Sequence, residues 1–299
     1  MVNLVIVGTV GLDEVETPFG KKSDLLGGSA TYAAYAASFF ERPGMVAVVG
    51  KDFPEKHLSD FRKKGICTEG IKINHKTFRW SGYYEFDMNE AKTLRTELNC
   101  LENFDAKLPD KYKKAEYVFL ANIDPDLQLQ VIDQLENPRL IMLDTMNFWI
   151  EHKRDRLLEA IRKVDVFILN DGEARQLFNT PNLVKAANEA LKMGPKAVII
   201  KKGEHGALLF TDSKHFNAPG YPMEDIRDPT GCGDSFGGSL IGYLAKTKDH
   251  DEKNLRKGVV YASAIASFNA EGFGPGNLKA LTEDMILKRY QEFKDMREF

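Results

Sequence analysis

The chain has 299 residues, 43% hydrophobic and 28% charged, enough to bury a full core without disulfide or metal staples. Lys and Arg number 41 against 44 Asp and Glu, a formal net charge of -3 with the basic residues scattered, so no electrostatic footprint for nucleic acid is present. Three widely spaced cysteines, Cys67, Cys100 and Cys232, suit reduced thiols in a cytoplasmic protein better than a disulfide framework or a zinc site. No run approaches the roughly 18 apolar residues that span a membrane, so the expected partner is a small molecule.

The opening MVNLVIVG has no basic leader and reads as a buried first strand, not a signal peptide. Short apolar runs follow at residues 4–8, 45–50, 117–121, 140–144, 166–170 and 197–203, each with the pattern of a buried parallel strand. Helical patterns lie between them, at 29–40, 55–64, 125–135, 153–161, 173–178 and 182–193. The alternation predicts an α/β fold, a doubly wound, mostly parallel sheet with helices on both faces and ligands beyond the carboxyl ends of its strands. Residues 71–98 break the pattern, since apolar and polar residues interleave with a period near two and Ser81-Gly82 offers a turn. This segment reads as strands outside the main sheet, either a small lid or an extra hairpin with no functional role. The chain is therefore expected to be one domain over 1–299, with lid segments around 10–20 and 71–98.

The stretch DPTGCGDSFGGSL, residues 228–240, concentrates the chemistry. Gly231 and Gly233 allow a turn whose successive N–H groups point into one concavity, and Phe236, Leu240, Ile241 and Leu244 follow at helical spacing. The turn thus lies at a helix start, where unpaired amides and the dipole attract anions. Asp234 among these amides has two readings of equal weight at this point. It caps the helix, or it takes a proton from a substrate hydroxyl while the amides hold a transferring phosphoryl group.

This segment resembles the signature Asp-Thr-x-Gly-Ala-Gly-Asp of the PfkB-type carbohydrate kinases, the ribokinase-like family, with Cys232 where alanine is usual and Pro229 where a hydroxyl is usual. The resemblance implies Asp234 as the catalytic base and Gly231, Cys232 and Gly233 as the anion hole. Asp228 would place either a monovalent cation, K+, or the loop itself. Further segments match in the family's order. GTVGLDEV, residues 8–15, implies that Asp13 binds substrate hydroxyls, and a carboxylate just past a strand end can accept two of them. LLGGSATYAAYAA, residues 25–37, resembles the substrate loop and implies Gly27, Gly28 and Thr31 there, with Thr31 and Tyr32 standing where the family often has asparagine.

LNDGEARQL, residues 169–177, resembles the family's Asn-x-x-Glu and implies Asn170 and Glu173 at the phosphate site, holding Mg2+ through waters; the same residues also suit a helix N-terminus. Lys202, Gly203 and Gly206 in residues 199–210, and Ala264, Ser267 and Asn269 in residues 261–274, are the positions implied for ATP. The implied function is ATP-dependent phosphoryl transfer to a hydroxyl of a small sugar or nucleoside, in a family whose lids can pair into a homodimer. Trp80, Tyr83, Tyr84 and Phe86 in the lid are compatible with a nucleoside, whereas a sugar phosphate would ask for cations near Asp13, with Lys21, Lys22 and Arg79 as candidates. A non-catalytic sensor on this fold would lack Asp234 or the glycine pair, and a dehydrogenase would carry the dinucleotide glycine fingerprint, which is absent.

Overall fold

The computed structural model describes residues 2–212 and 214–298. Its strands are β1 (Leu4–Val7), β2 (Gly11–Thr17), β3 (Gly20–Gly27), β4 (Pro43–Val49), β5 (Cys67–Ile73), β6 (Phe78–Tyr84) and β7 (Ala91–Glu97), followed by β8 (Tyr117–Leu120), β9 (Leu140–Leu143), β10 (Val166–Asn170), β11 (Ala197–Lys201), β12 (Ala207–Thr211) and β13 (His215–Ala218). Nine form one sheet in the order β13-β12-β11-β10-β9-β8-β1-β4-β5, parallel except for the antiparallel hairpins that add β12 and β13. The apolar runs read from the sequence are its central strands. β1 shows why they are apolar throughout: Leu4 and Ile6 enter one core cluster and Val5 and Val7 the other, and none of the four is exposed. The chain leaves β1 for β4 on one side and later returns to β8 on the other, which opens a crevice at the carboxyl end of β1.

The remaining strands make a separate sheet in the order β3-β2-β6-β7. Two sequence expectations change here. Residues 71–73 belong to β5 and pair with Ala47 to Val49 at the edge of the large sheet, where one solvated face produces the same period of two as a lid strand. Ser81 and Gly82 lie inside β6, not in a turn: a side chain at Gly82 would collide with the Trp80 ring, so this glycine makes room for an indole folded along its own strand.

The helices Ser29–Ala37 and Cys232–Thr247 pack along small residues. A β-carbon at Gly238 would meet the Ala33 backbone and one at Gly242 the Ala37 backbone, so the two helices touch almost main chain to main chain. Gly238→Ala is expected to destabilise the fold by about 1–3 kcal/mol by overpacking, although alanine is the better helix former by about 1 kcal/mol. Gly276→Ala, which meets no atom within 4 Å, is the control in urea unfolding, and equal midpoints for the two variants would refute the close approach.

Candidate active site

The glycine turn is built by sterics as much as by hydrogen bonds. Gly231 has φ 76°, and a β-carbon there would strike the Tyr32 ring, so both conformation and space demand glycine. The Cys232 N–H donates to the Pro229 carbonyl at 3.1 Å and closes the turn, which leaves the first-turn amides of Gly233 and Asp234 without intrahelical acceptors. Cys232 is therefore not an anion-hole donor as expected. Its Sγ turns toward the Ala266 carbonyl and Asn269 Nδ2, and burial pushes the thiol up to about 12. Asn269 Nδ2 also donates to the Thr230 carbonyl at 2.8 Å and braces the turn from behind. The unexposed Asp228 accepts from the Thr230 N–H at 2.9 Å and the Gly274 N–H at 3.2 Å, tying two loops together.

Asp13 reaches the same cleft from β2. Its carboxylate lies over Gly27, where a β-carbon would collide with it, and the Gly28 N–H faces it from a residue at φ 95°. Thr31 and Tyr32 behind it are buried. The Thr31 hydroxyl donates to the Gly27 carbonyl at 2.7 Å and is consumed within the fold, whereas the hydroxyl of Tyr32, a residue 1% exposed, has no partner among the described residues. It stands in the field of Asp13, Asp228, Tyr84 and Asp234.

The electrostatics follow from burial. Desolvation, then Asp228 and Asp234, raise Asp13 to about 8. Desolvation, then Asp144, raise Asp234 to about 7, while Lys201 opposes the shift. Glu173 is raised to about 8, again chiefly by burial. Lys201 Nζ sits 2.8 Å from Asp144 Oδ2, with the two side chains 16% and 3% exposed. A β-carbon at Gly233 would lie 3.2 Å from that Nζ, so the ammonium abuts the amide-lined turn.

Other expected residues divide sharply. Asn170 and Glu173 form a reciprocal capping box, Oδ1 of Asn170 accepting from the Glu173 N–H and Oε2 of Glu173 from the Asn170 N–H, each at 2.7 Å. Oxygen donors of this kind suit Mg2+ through water, and among the described residues no three His, Cys, Asp or Glu side chains converge to hold an ion directly. Gly203 and Gly206 have φ 53° and 82°, and the tip of the β6–β7 hairpin reaches Gly203 through Asn89. Lys202 makes no side-chain hydrogen bond or ion pair among the described residues; Lys201 is the lysine at the site. Ala264 and Ser267 lie in the packed interior, where the Ser267 hydroxyl donates to the Ala264 carbonyl and accepts from Arg289, so neither side chain is presented to a nucleotide.

Asp144 and Lys201 were missed, although both stand at strand ends beside Asn170, and the rule that ligands collect there would have found them. The lid completes the cleft. Trp80 pairs in register with Asp13 across β6 and β2 and so shares its face, whereas Arg79 and Arg95, one position out of step, lie on the opposite face beside Asp24 and Glu97. Tyr84 on the same strand accepts from the Thr230 hydroxyl at 3.2 Å, connecting the lid to the catalytic turn.

The pfkB family carbohydrate kinase pattern matches residues 14–281. A cytidine kinase from Thermococcus kodakarensis is 29% identical over 250 residues, covering 81% of this chain and 89% of that protein. In fold, the chain resembles the nucleoside kinase of Methanocaldococcus jannaschii (TM-score 0.78, 19% identity, 97% and 99% of the two chains). It also resembles a ribokinase-like protein from E. coli solved with ATP and Mg2+ (TM-score 0.79, 17% identity, 99% and 100%). The chain belongs to the pfkB family of carbohydrate kinases and is an ATP-dependent phosphotransferase of the ribokinase fold.

Proposed function

We propose that the acceptor is a nucleoside, phosphorylated on a ribose hydroxyl. The observation that carries this reading is the register of the lid, which sets Trp80 opposite Asp13 and on its face, with the indole laid along that face over Gly82. A carboxylate that accepts two vicinal hydroxyls beside an aromatic face for a flat base matches a nucleoside better than a free sugar. The likeness to a cytidine kinase supports the same class.

In this mechanism Asp13 orients the ribose, and substrate hydroxyls replace the solvation that its burial removes. Asp234 receives the proton of the attacking hydroxyl, with a pKa near 7 that suits a base at neutral pH. The amides of Gly233 and Asp234 face the transferring group, since phosphoryl transfer depends mostly on positioning and charge stabilisation. Glu173, with Asn170, would hold the Mg2+ of the nucleotide through water, and that ion would neutralise phosphate charge. Asp228, with both oxygens engaged by backbone amides, organises the loop; this favours a structural role over a K+ ligand.

Asp234→Asn is expected to lower kcat by roughly 10² to 10⁴ while ATP binding, measured by calorimetry, changes little; near wild-type turnover would remove Asp234 as the base. In the wild type, kcat/KM should fall as pH drops through 8 to 7, where Asp13 (about 8) and Asp234 (about 7) take up protons and the base is lost. Trp80→Ala should raise KM for nucleosides several-fold more than for ribose, and equal effects on the two would favour a sugar as the natural acceptor. The raised carboxyls also make a stability prediction. An aspartate with a folded pKa above its unfolded one costs stability once ionised, so Asp234→Asn should resist urea better than wild type at pH 8.5, the gap closing as pH falls from 7 toward 4.

A further inference from the structure

Lys201 is held in a way that a purely structural lysine is not. Its ammonium makes one protein hydrogen bond among the described residues, to Asp144 Oδ2 at 2.8 Å, so two of its three donors have no protein acceptor. Burying a charge costs several kcal/mol and calls for fuller pairing than this. Asp144 itself is anchored, its Oδ1 accepting from the Thr145 N–H at 2.9 Å. The lysine ends β11 directly against Gly233, facing Asp234, Asp144 and Glu173. Its spare donors therefore lie beside the amides that face an anion.

We propose that Lys201 is a phosphate-holding catalytic cation of this kinase: its ammonium, parked on Asp144 in the free protein, turns its open donors to the γ-phosphoryl oxygens lying on the Gly233 and Asp234 amides. This rests on the kinase reading above. In the step, the acceptor oxygen forms a bond to the γ-phosphorus and its proton passes to Asp234. The bond from the γ-phosphorus to the bridging oxygen breaks, and its electron pair leaves on ADP. Lys201 stays protonated throughout and offsets charge on the non-bridging oxygens, while Asp144 keeps the ammonium charged and aimed when the nucleotide is gone.

The test compares ATP with ADP, which differ by the group the lysine would hold. By calorimetry with Mg2+, Lys201→Met should weaken ATP roughly 10-fold or more and ADP less than about 3-fold, and Lys201→Arg should restore part of the difference. Lys201→Met should also lower single-turnover transfer by roughly 10² to 10³ and move the acid limb of kcat/KM to higher pH, because Asp234 loses the cation that opposes its raised pKa. Since Lys201→Met leaves Asp144 buried and unpaired, the double variant Lys201→Met/Asp144→Asn serves as the folded control and should show the same selective loss of ATP affinity. Equal loss of ATP and ADP binding, or no loss of either in the folded double variant, would overturn the proposal and leave the pair structural. The binding arm needs no acceptor, so failure of the kinase reading is seen separately, as wild-type protein that binds ATP but forms no ADP with any sugar or nucleoside.

Discussion

The site depends first on two helices being able to touch. Ser29–Ala37 and Cys232–Thr247 meet where Gly238 and Gly242 lie on the backbone of Ala33 and Ala37, and both begin at the carboxyl edge of the large sheet. Any ordinary side chain at those glycines would separate the helices by roughly an ångström or more, and positioning on that scale decides phosphoryl transfer. The approach brings the Gly27-Gly28 loop, and with it Asp13, beside the Gly231 turn and Asp234. Tyr32 closes the wedge between them, its ring filling the space that Gly231 leaves open.

Closeness of this kind has an electrostatic consequence. Asp13, Asp144, Glu173, Asp228 and Asp234 all lie in or around one cleft with Lys201 as the buried counter-charge, and burial raises every one of these carboxyls. The strain is uneven in a useful way. Asp228 and Asp144 are held by backbone amides and the lysine, so they serve as fixed scaffolding. Asp13 and Asp234 have fewer partners among the described residues, and in the proposed mechanism they are the two that substrate hydroxyls would meet. Active sites concentrate such destabilised groups, and here their cost is offset by core clusters packed on both faces of the central strands of the nine-stranded sheet.

How much of this could be read from the chain depended on whether a local pattern had one physical cause. The central strands were legible because a parallel strand buried on both faces has no alternative to an unbroken apolar run, as β1 and β8 show. The glycine turn was legible because its backbone geometry demands glycine, whereas Asp13 and Asp234 were singled out by the resemblance of their segments to a known family, spacing alone leaving Asp234 open between a helix cap and a base. A period of two, by contrast, has two causes, and β5 at the edge of the main sheet produced the same pattern as the lid. Gly82 illustrates the same ambiguity: turn chemistry and room for a neighbouring indole both call for glycine. Between Lys201 and Lys202 the difference is one position, and at a strand end one position reverses the face, so only the pairing of β11 with β10 decides which lysine enters the cleft.

On the proposed reading of a nucleoside acceptor, the lid is what would make the phosphoryl-transfer centre selective. Its attachment points are Thr17, whose hydroxyl donates to the Arg227 carbonyl at 3.0 Å, and Tyr84 on Thr230, so both struts end on the segment that carries the catalytic turn. The strand that carries Trp80 is therefore tied, through Tyr84, to the segment that carries Asp234. Lid and turn are in this way connected, with β2 supplying Asp13 to the cleft and β6 supplying both Trp80 and Tyr84. In the proposed mechanism, an acceptor too small to reach Trp80 would still meet Asp13, yet it would leave the indole face to water and forgo the binding energy that fixes its hydroxyl in line. The proposed nucleoside would thus be favoured over a free sugar at the catalytic step as well as in binding.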